Sequence, residues 1–207
     1  MDIFGIVFLV AVIVFSAVIH EVAHGVAADK LGDPTARYAG RLTLNPIPHL
    51  DPFGSVVLPL ILALTGSPLL FGWAKPVPYN PFNLRVGRFS EAIVAFAGPA
   101  SNLVIACITA VFLRMNVFPS AESMLFTVLL VNVMLFLFNL IPIPPLDGSK
   151  ILASLLPAPL ARLYGALRTQ LEFNPFLGFG AVLIVVLVFG GVLGGVVFGL
   201  ARALAGL

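Results

Sequence analysis

Residues 3–24 read IFGIVFLVAVIVFSAVIHEVAH, and this stretch decides the fold. Ile3 to Ile19 is seventeen residues without a charge. At the helical rise such a run is roughly 26 Å long, close to the ~30 Å hydrocarbon core of a bilayer. The helical pattern continues without a break into His20-Glu21-Val22-Ala23-His24. A secretory signal peptide would open on basic residues. Only Met1 and Asp2 precede this run, so it reads as a retained span over about 3–28.

The rest of the chain agrees. Of its 207 residues, 60% are hydrophobic and 10% charged, whereas a soluble domain carries about 25% charged residues. A surface this apolar needs lipid as its solvent. Three further spans are expected at about 92–113, 124–141 and 177–200. The reading is an all-α polytopic membrane protein forming one domain over 1–207. A net charge of +2 is too small to point to nucleic acid, and the single cysteine, Cys107, excludes an intrachain disulfide.

The connecting segments are less regular. Residues 29–51 are polar and rich in Pro and Gly, with weak strand character over Tyr38–Leu44. Residues 53–71 are apolar but interrupted by Gly54, Pro59, Gly66 and Pro68. Residues 148–175 read as a short interfacial helix carrying Arg162 and Arg168. Cytoplasmic loops carry the excess of Lys and Arg. Lys30, Arg37 and Arg41 follow the first span, Lys75, Arg85 and Arg88 precede the second, and Lys150, Arg162 and Arg168 follow the third. If these loops share the cytoplasmic side, the N-terminus lies outside and 53–71 enters and leaves on one face as a re-entrant hairpin. A fifth full span is the alternative.

His20, Glu21 and His24 carry the chemistry. Residues four apart share a helix face, so two imidazoles at i and i+4 can grip one metal ion, with Glu21 beside them as a proton acceptor. Ionisable groups at membrane depth are costly unless they pair, bind metal or meet water. A catalytic zinc takes three protein ligands and leaves a position open. Asp147, in Asn139-Leu140-Ile141-Pro142-Ile143-Pro144-Pro145-Leu146-Asp147-Gly148, is the best third ligand, because the span before it ends on the same side as His24. Its structural alternative is an N-cap for a helix starting near Ser149. His49 competes as third ligand, or serves a loop that covers the site. Asn139 and Asn102 are polar groups that could bond a substrate backbone or an oxyanion, or simply bridge helices. Asn132 reads as interhelical glue. Gly190, Gly191, Gly194, Gly195 and Gly199 in the last span suggest close helix packing, within the chain or in a homodimer.

Taken together, His20–His24 and Asn139…Leu146-Asp147-Gly148 resemble the site-2 protease family of intramembrane metalloproteases. Gly98-Pro99-Ala100-Ser101-Asn102 is similar to the family's middle core span, and Gly40–Pro46, His49–Gly54 and Phe71–Pro78 are similar to a compact bacterial branch without PDZ or CBS domains. The resemblance implies a three-span core, one zinc ion per chain held by His20, His24 and Asp147, and Glu21 as general base. It further implies membrane-protein substrates cut within or near their spans, in a bacterial plasma membrane. An unwound substrate could add to an exposed strand edge, for which Tyr38–Leu44 is the candidate. A metal transporter and a silent binder of transmembrane helices are the rival readings. A transporter would show broken helices in paired repeats, which this sequence lacks.

Overall fold

The computed structural model describes residues 2–57, 61, 75–85 and 87–207. Helix α1 (Ile3–Lys30) begins where Asp2 accepts a hydrogen bond from Gly5 N at 2.8 Å, and ends just before Gly32, whose φ of +108° suits glycine. Four residues make α2 (Thr35–Tyr38). Then come α3 (Ser90–Arg114), with Pro99 inside it, α4 (Glu122–Asn139), α5 (Asp147–Leu155), α6 (Ala158–Phe173) and α7 (Pro175–Ala205). Four of these helices, α1, α3, α4 and α7, are long and apolar enough to cross a membrane. Their outer faces expose large apolar side chains such as Val7, Val10, Ile108, Phe112, Leu187 and Phe189, as lipid contact requires. The chain is a multi-pass membrane protein.

Helices α1, α3 and α4 pack on one another, and α7 joins them along α4 and α3. Two kinds of contact hold this bundle. At one level Ala106 and Ala110 of α3, Leu129 and Val133 of α4, and Val197, Ala201 and Ala205 of α7 form a buried apolar cluster. Lipid tails are as apolar as these side chains, so association there rests on close packing, which the alanines permit. The other buried set is polar, Ser16, His20, Asn102 and Asn132, and on α4 Asn132 lies between Leu129 and Val133 of the first set.

Several expected boundaries shift. Tyr38–Leu44 is not a strand. Tyr38 closes α2, Gly40 turns the chain at φ +66°, and Arg41 folds inward to 6% exposure. The only bridge residue among those described is the isolated Leu50. The expected helix over 148–175 is two helices, because Pro157 drives Leu156 into extended backbone (ψ 143°) between α5 and α6. Pro52–Val57 forms a π-helical turn, and most of the proposed hairpin 53–71 lies outside the described residues. Among the described residues nothing lies within 4 Å of a Cβ built on Gly191, Gly194, Gly195 or Gly199, and the contacts of this helix with the bundle run through Val197, Ala201 and Ala205.

Candidate metal centre

His20 and His24 lie one turn apart on α1 and project towards α3. Their partners fix how each ring is protonated. His24 Nδ1 lies 2.7 Å from Val94 O, which can only accept, so that nitrogen donates. His20 Nδ1 lies 2.7 Å from Asn102 Oδ1 and donates likewise. In a neutral ring the remaining nitrogen, Nε2, is then a bare lone pair. The two Nε2 atoms stand 3.0 Å apart.

Asp147 completes the group. Its Oδ2 is 3.1 Å from His20 Nε2 and 3.2 Å from His24 Nε2. The loop after α4 delivers it by folding tightly back. A Cβ on Gly148 would sit 2.3 Å from Leu140 O and 2.6 Å from Ile141 O, so only glycine permits the turn. Asp147 is the first residue of α5, not its cap; Leu146 holds that position and no side chain caps the helix. Lys150 Nζ lies 3.6 Å from Asp147 Oδ1, so the carboxylate offers one oxygen to the histidines and the other to an ammonium.

His20, His24 and Asp147 are the described residues whose ligand atoms cluster closely enough to hold a metal ion. The donor set fits zinc. A tetrahedral ion at about 2.0–2.1 Å from its ligands spaces them by about 3.3 Å. The observed spacings of 3.0–3.2 Å are close to that. Two lone pairs and a carboxylate oxygen at these distances repel unless a cation sits among them. One proton could bridge only one of the three contacts, whereas one metal ion satisfies all three. Space is reserved for it by Gly98 on α3, where a Cβ would fall 2.4 Å from His24 Nε2 and 2.5 Å from His20 Nε2.

Glu21 lines the same cavity, of about 130 Å³, with both histidines, Asp147, Asn139, Lys150 and Tyr79. Its Oε2 accepts a hydrogen bond from Val77 N at 2.8 Å. Val77 belongs to an extended strap, residues 75–80, that crosses the site and is fastened on both sides. Upstream, Lys75 N donates to His49 O at 2.8 Å, and Arg41 Nη2 donates to Lys75 O at 2.7 Å. Downstream, Asp33 accepts from Asn80 N at 2.6 Å and from Asn83 Nδ2 at 2.8 Å. Asp33 is fully buried. Burial would raise its carboxyl, but hydrogen bonds from Thr35, Asn83 and Asn80 win and lower it.

His49 is therefore not a ligand here. Its ring Nε2 donates to Thr43 O at 2.9 Å, and its carbonyl holds the strap. Asn139 lines the cavity with its amide nitrogen 2.9 Å from Leu135 O. Asn102 faces His20, not the cavity, which argues against an oxyanion role. Sequence reasoning missed the strap, Gly98, Lys150 and Tyr79. The stretches that contain the strap and Gly98 were visible as motifs, but their contacts with α1 span 56 residues or more and leave no local pattern.

Comparison with known proteins points the same way. A family model described as Peptidase family M50 matches residues 114–187. Two curated relatives share the printed name "Putative zinc metalloprotease". One is YwhC of Bacillus subtilis (strain 168), 40% identical over 182 residues, covering 83% of this chain and 78% of the relative. The other is Rip2 of Mycolicibacterium smegmatis, 30% identical over 184 residues, covering 83% of this chain and 62% of the relative. Rip2 of Mycobacterium tuberculosis is 29% identical over 137 residues, and this chain spans about half of it, 51%. No solved structure matches.

Proposed function

The chain belongs to peptidase family M50, the site-2 protease family of zinc metalloproteases, and on that premise we propose that it hydrolyses peptide bonds in or near the transmembrane segments of other membrane proteins. One observation carries this reading. The metal-binding triad, His20, His24 and Asp147, shares a buried cavity with a carboxylate, Glu21, that is held in place by a backbone N–H. A metal store or transporter needs the first part and has no use for the second.

In this reading His20 Nε2, His24 Nε2 and Asp147 Oδ2 hold the zinc. When bound, zinc supplies a Lewis acid and draws the pKa of a water towards ~7. Glu21 takes a proton from the attacking water as its oxygen bonds to the scissile carbonyl carbon. It then gives that proton to the leaving nitrogen as the C–N bond breaks. Val77 N–H occupies Oε2, which leaves Oε1 as the proton-carrying oxygen. Asn139, on the cavity wall, is the residue placed to meet the substrate backbone.

The cavity's size sets how substrate arrives. At about 130 Å³ it admits waters and a peptide group. A helix about 10–12 Å across does not fit. A substrate span must unwind before it reaches the zinc, so cleavage falls where helix is weakest. With the N-terminus outside, the centre lies near the cytoplasmic boundary. The reaction would then release cytoplasmic fragments, as regulated intramembrane proteolysis requires.

The test is cleavage of a single-span substrate by detergent-purified protein, with bound zinc measured alongside. Glu21→Gln should keep one zinc per chain and lose activity by about 10²–10⁴-fold, the range for a general base. Cleavage that survives in this variant, or wild-type protein without zinc, would remove the proposal. Zinc flux in vesicles without cleavage would favour a transporter.

A further inference from the structure

We infer that Asn132, three side chains from the metal, is a positioning residue that sets the tautomer of His20 through Asn102. This rests on the zinc-site reading above and deepens it.

The chain of contacts crosses three spans inside the bundle. Asn132 Nδ2 on α4 donates to Val128 O at 2.9 Å and to Ser16 Oγ at 3.0 Å. Asn102 Nδ2 on α3 donates to Asn132 Oδ1 at 3.0 Å and approaches Ser16 O at 3.4 Å. Asn102 Oδ1 accepts from His20 Nδ1 at 2.7 Å. Asn102 and Asn132 are fully buried, Ser16 is 5% exposed and His20 6%.

The direction of every hydrogen in this chain follows from its anchor. Val128 O is a carbonyl and can only accept, so the nitrogen of Asn132 must face it. The oxygen of Asn132 then faces Asn102, which has to present its own nitrogen. Ser16 O, also an obligate acceptor, demands the same end of Asn102. The oxygen of Asn102 is left pointing at His20, and His20 must donate from Nδ1. Nε2 is thereby stripped of hydrogen and faces the metal position.

Turning the Asn102 amide over would set its oxygen 3.0 Å from Asn132 Oδ1 and near Ser16 O, two buried oxygen-to-oxygen contacts. Buried groups left unsatisfied in this way are costly. Without Asn132 the nearer of these two contacts is gone and only the longer approach to Ser16 O, 3.4 Å, remains. The Asn102 amide can turn, its nitrogen can face Nδ1, and the proton of His20 moves to Nε2, where it blocks the metal. Outer partners of a metal-bound histidine commonly alter metal affinity by about 10–100-fold.

Zinc affinity by chelator competition tests this in the purified full-length protein. Asn132→Leu should weaken zinc binding by about 10–100-fold. Adding Asn102→Asp should restore it, because both carboxylate oxygens accept and neither orientation can donate to Nδ1. If Asn132 were only glue between helices, a buried carboxylate at 102 would make the Leu variant worse. Unchanged affinity in Asn132→Leu, or a double variant no better than the single, overturns the assignment. Should the Leu variant not fold, ¹⁵N-histidine spectra of metal-free wild type decide it. The proton of His20 is expected on Nδ1, and finding it on Nε2 overturns the assignment. Rescue without proteolysis would leave the relay standing and remove the protease reading; proteolysis without rescue would do the reverse.

Discussion

The same helices are held together in two different ways along their length. Around Ala106, Ala110, Leu129, Val133, Val197 and Ala201 the contacts are apolar, and any side chain of similar volume would serve. Around Ser16, His20, Asn102 and Asn132 each contact is a directed hydrogen bond with one workable arrangement. The first level binds the helices into a bundle. The second fixes their depth and rotation, because a small slip along an axis would break the bonds that orient His20. The two sets occupy separate stretches of α3, whereas on α4 Asn132 lies between Leu129 and Val133; substitutions in the two sets should separate in the laboratory.

The largest effect is expected at the polar level from the smallest addition. Gly98→Ala places a methyl group 2.4–2.5 Å from both imidazole nitrogens that face the metal. Zinc content measured on purified protein should fall to background and proteolysis with it, while helical content stays near wild type. Zinc retained in Gly98→Ala would show that the glycine does not reserve the metal position.

Next in size is the base. Val77→Pro removes the N–H that holds Glu21 and leaves a run of prolines that keeps the strap extended. A hydrogen bond to a charged group is worth about 1.5–3 kcal/mol. Turnover should drop by about 10–100-fold at unchanged zinc content, measured as kcat on a single-span substrate.

At the apolar level the pattern reverses. Ala106→Leu crowds a fully buried site and should cost about 1–3 kcal/mol of stability. The thermal midpoint should fall, yet zinc bound per folded molecule should not. A change in zinc affinity would show that packing strain travels to the metal.

The gentlest test concerns pH. The Asp33 carboxyl titrates below its unfolded value, so the folded state favours its charged form. Its contribution to anchoring the strap is full above about pH 4 and fades as pH falls through the lowered folded value. Asp33→Asn should be less stable than wild type at neutral pH. The gap between the two melting curves should narrow as the buffer is taken below about pH 4.

Much of this was visible in the residue order. The long apolar runs marked the four spans, because a bilayer dictates length and composition without reference to tertiary contacts. His20, Glu21 and His24 were legible because a helix relates i and i+4 by geometry alone. Asp147 needed topology as well, and the side rule for basic loops supplied it. The relay through Asn132 was not legible. Its bond to Ser16 spans 116 residues, and nothing local separates a tautomer-setting asparagine from one that merely joins two helices. The strap failed for the opposite reason. Its prolines read as loop, which is correct, but the path of a loop is set by what catches it, here Arg41, His49, Glu21 and Asp33.

The strap also bears on self-cleavage under the proposed function. A peptide group of its own chain, Pro76–Val77, lies within hydrogen-bond reach of the Glu21 carboxylate. It presents the N–H edge, and in a trans peptide the carbonyl then points the other way, where Arg41 Nη2 lies 3.4 Å from Pro76 O. The Pro76 carbonyl is thereby turned from the Glu21 carboxylate. Pro76 and Pro78 lack the N–H groups by which this chain could settle across the site as a paired strand. With Glu21 as the proposed base, the orientation of this one amide plane would oppose autolysis while aligning the carboxylate for bonds in other chains.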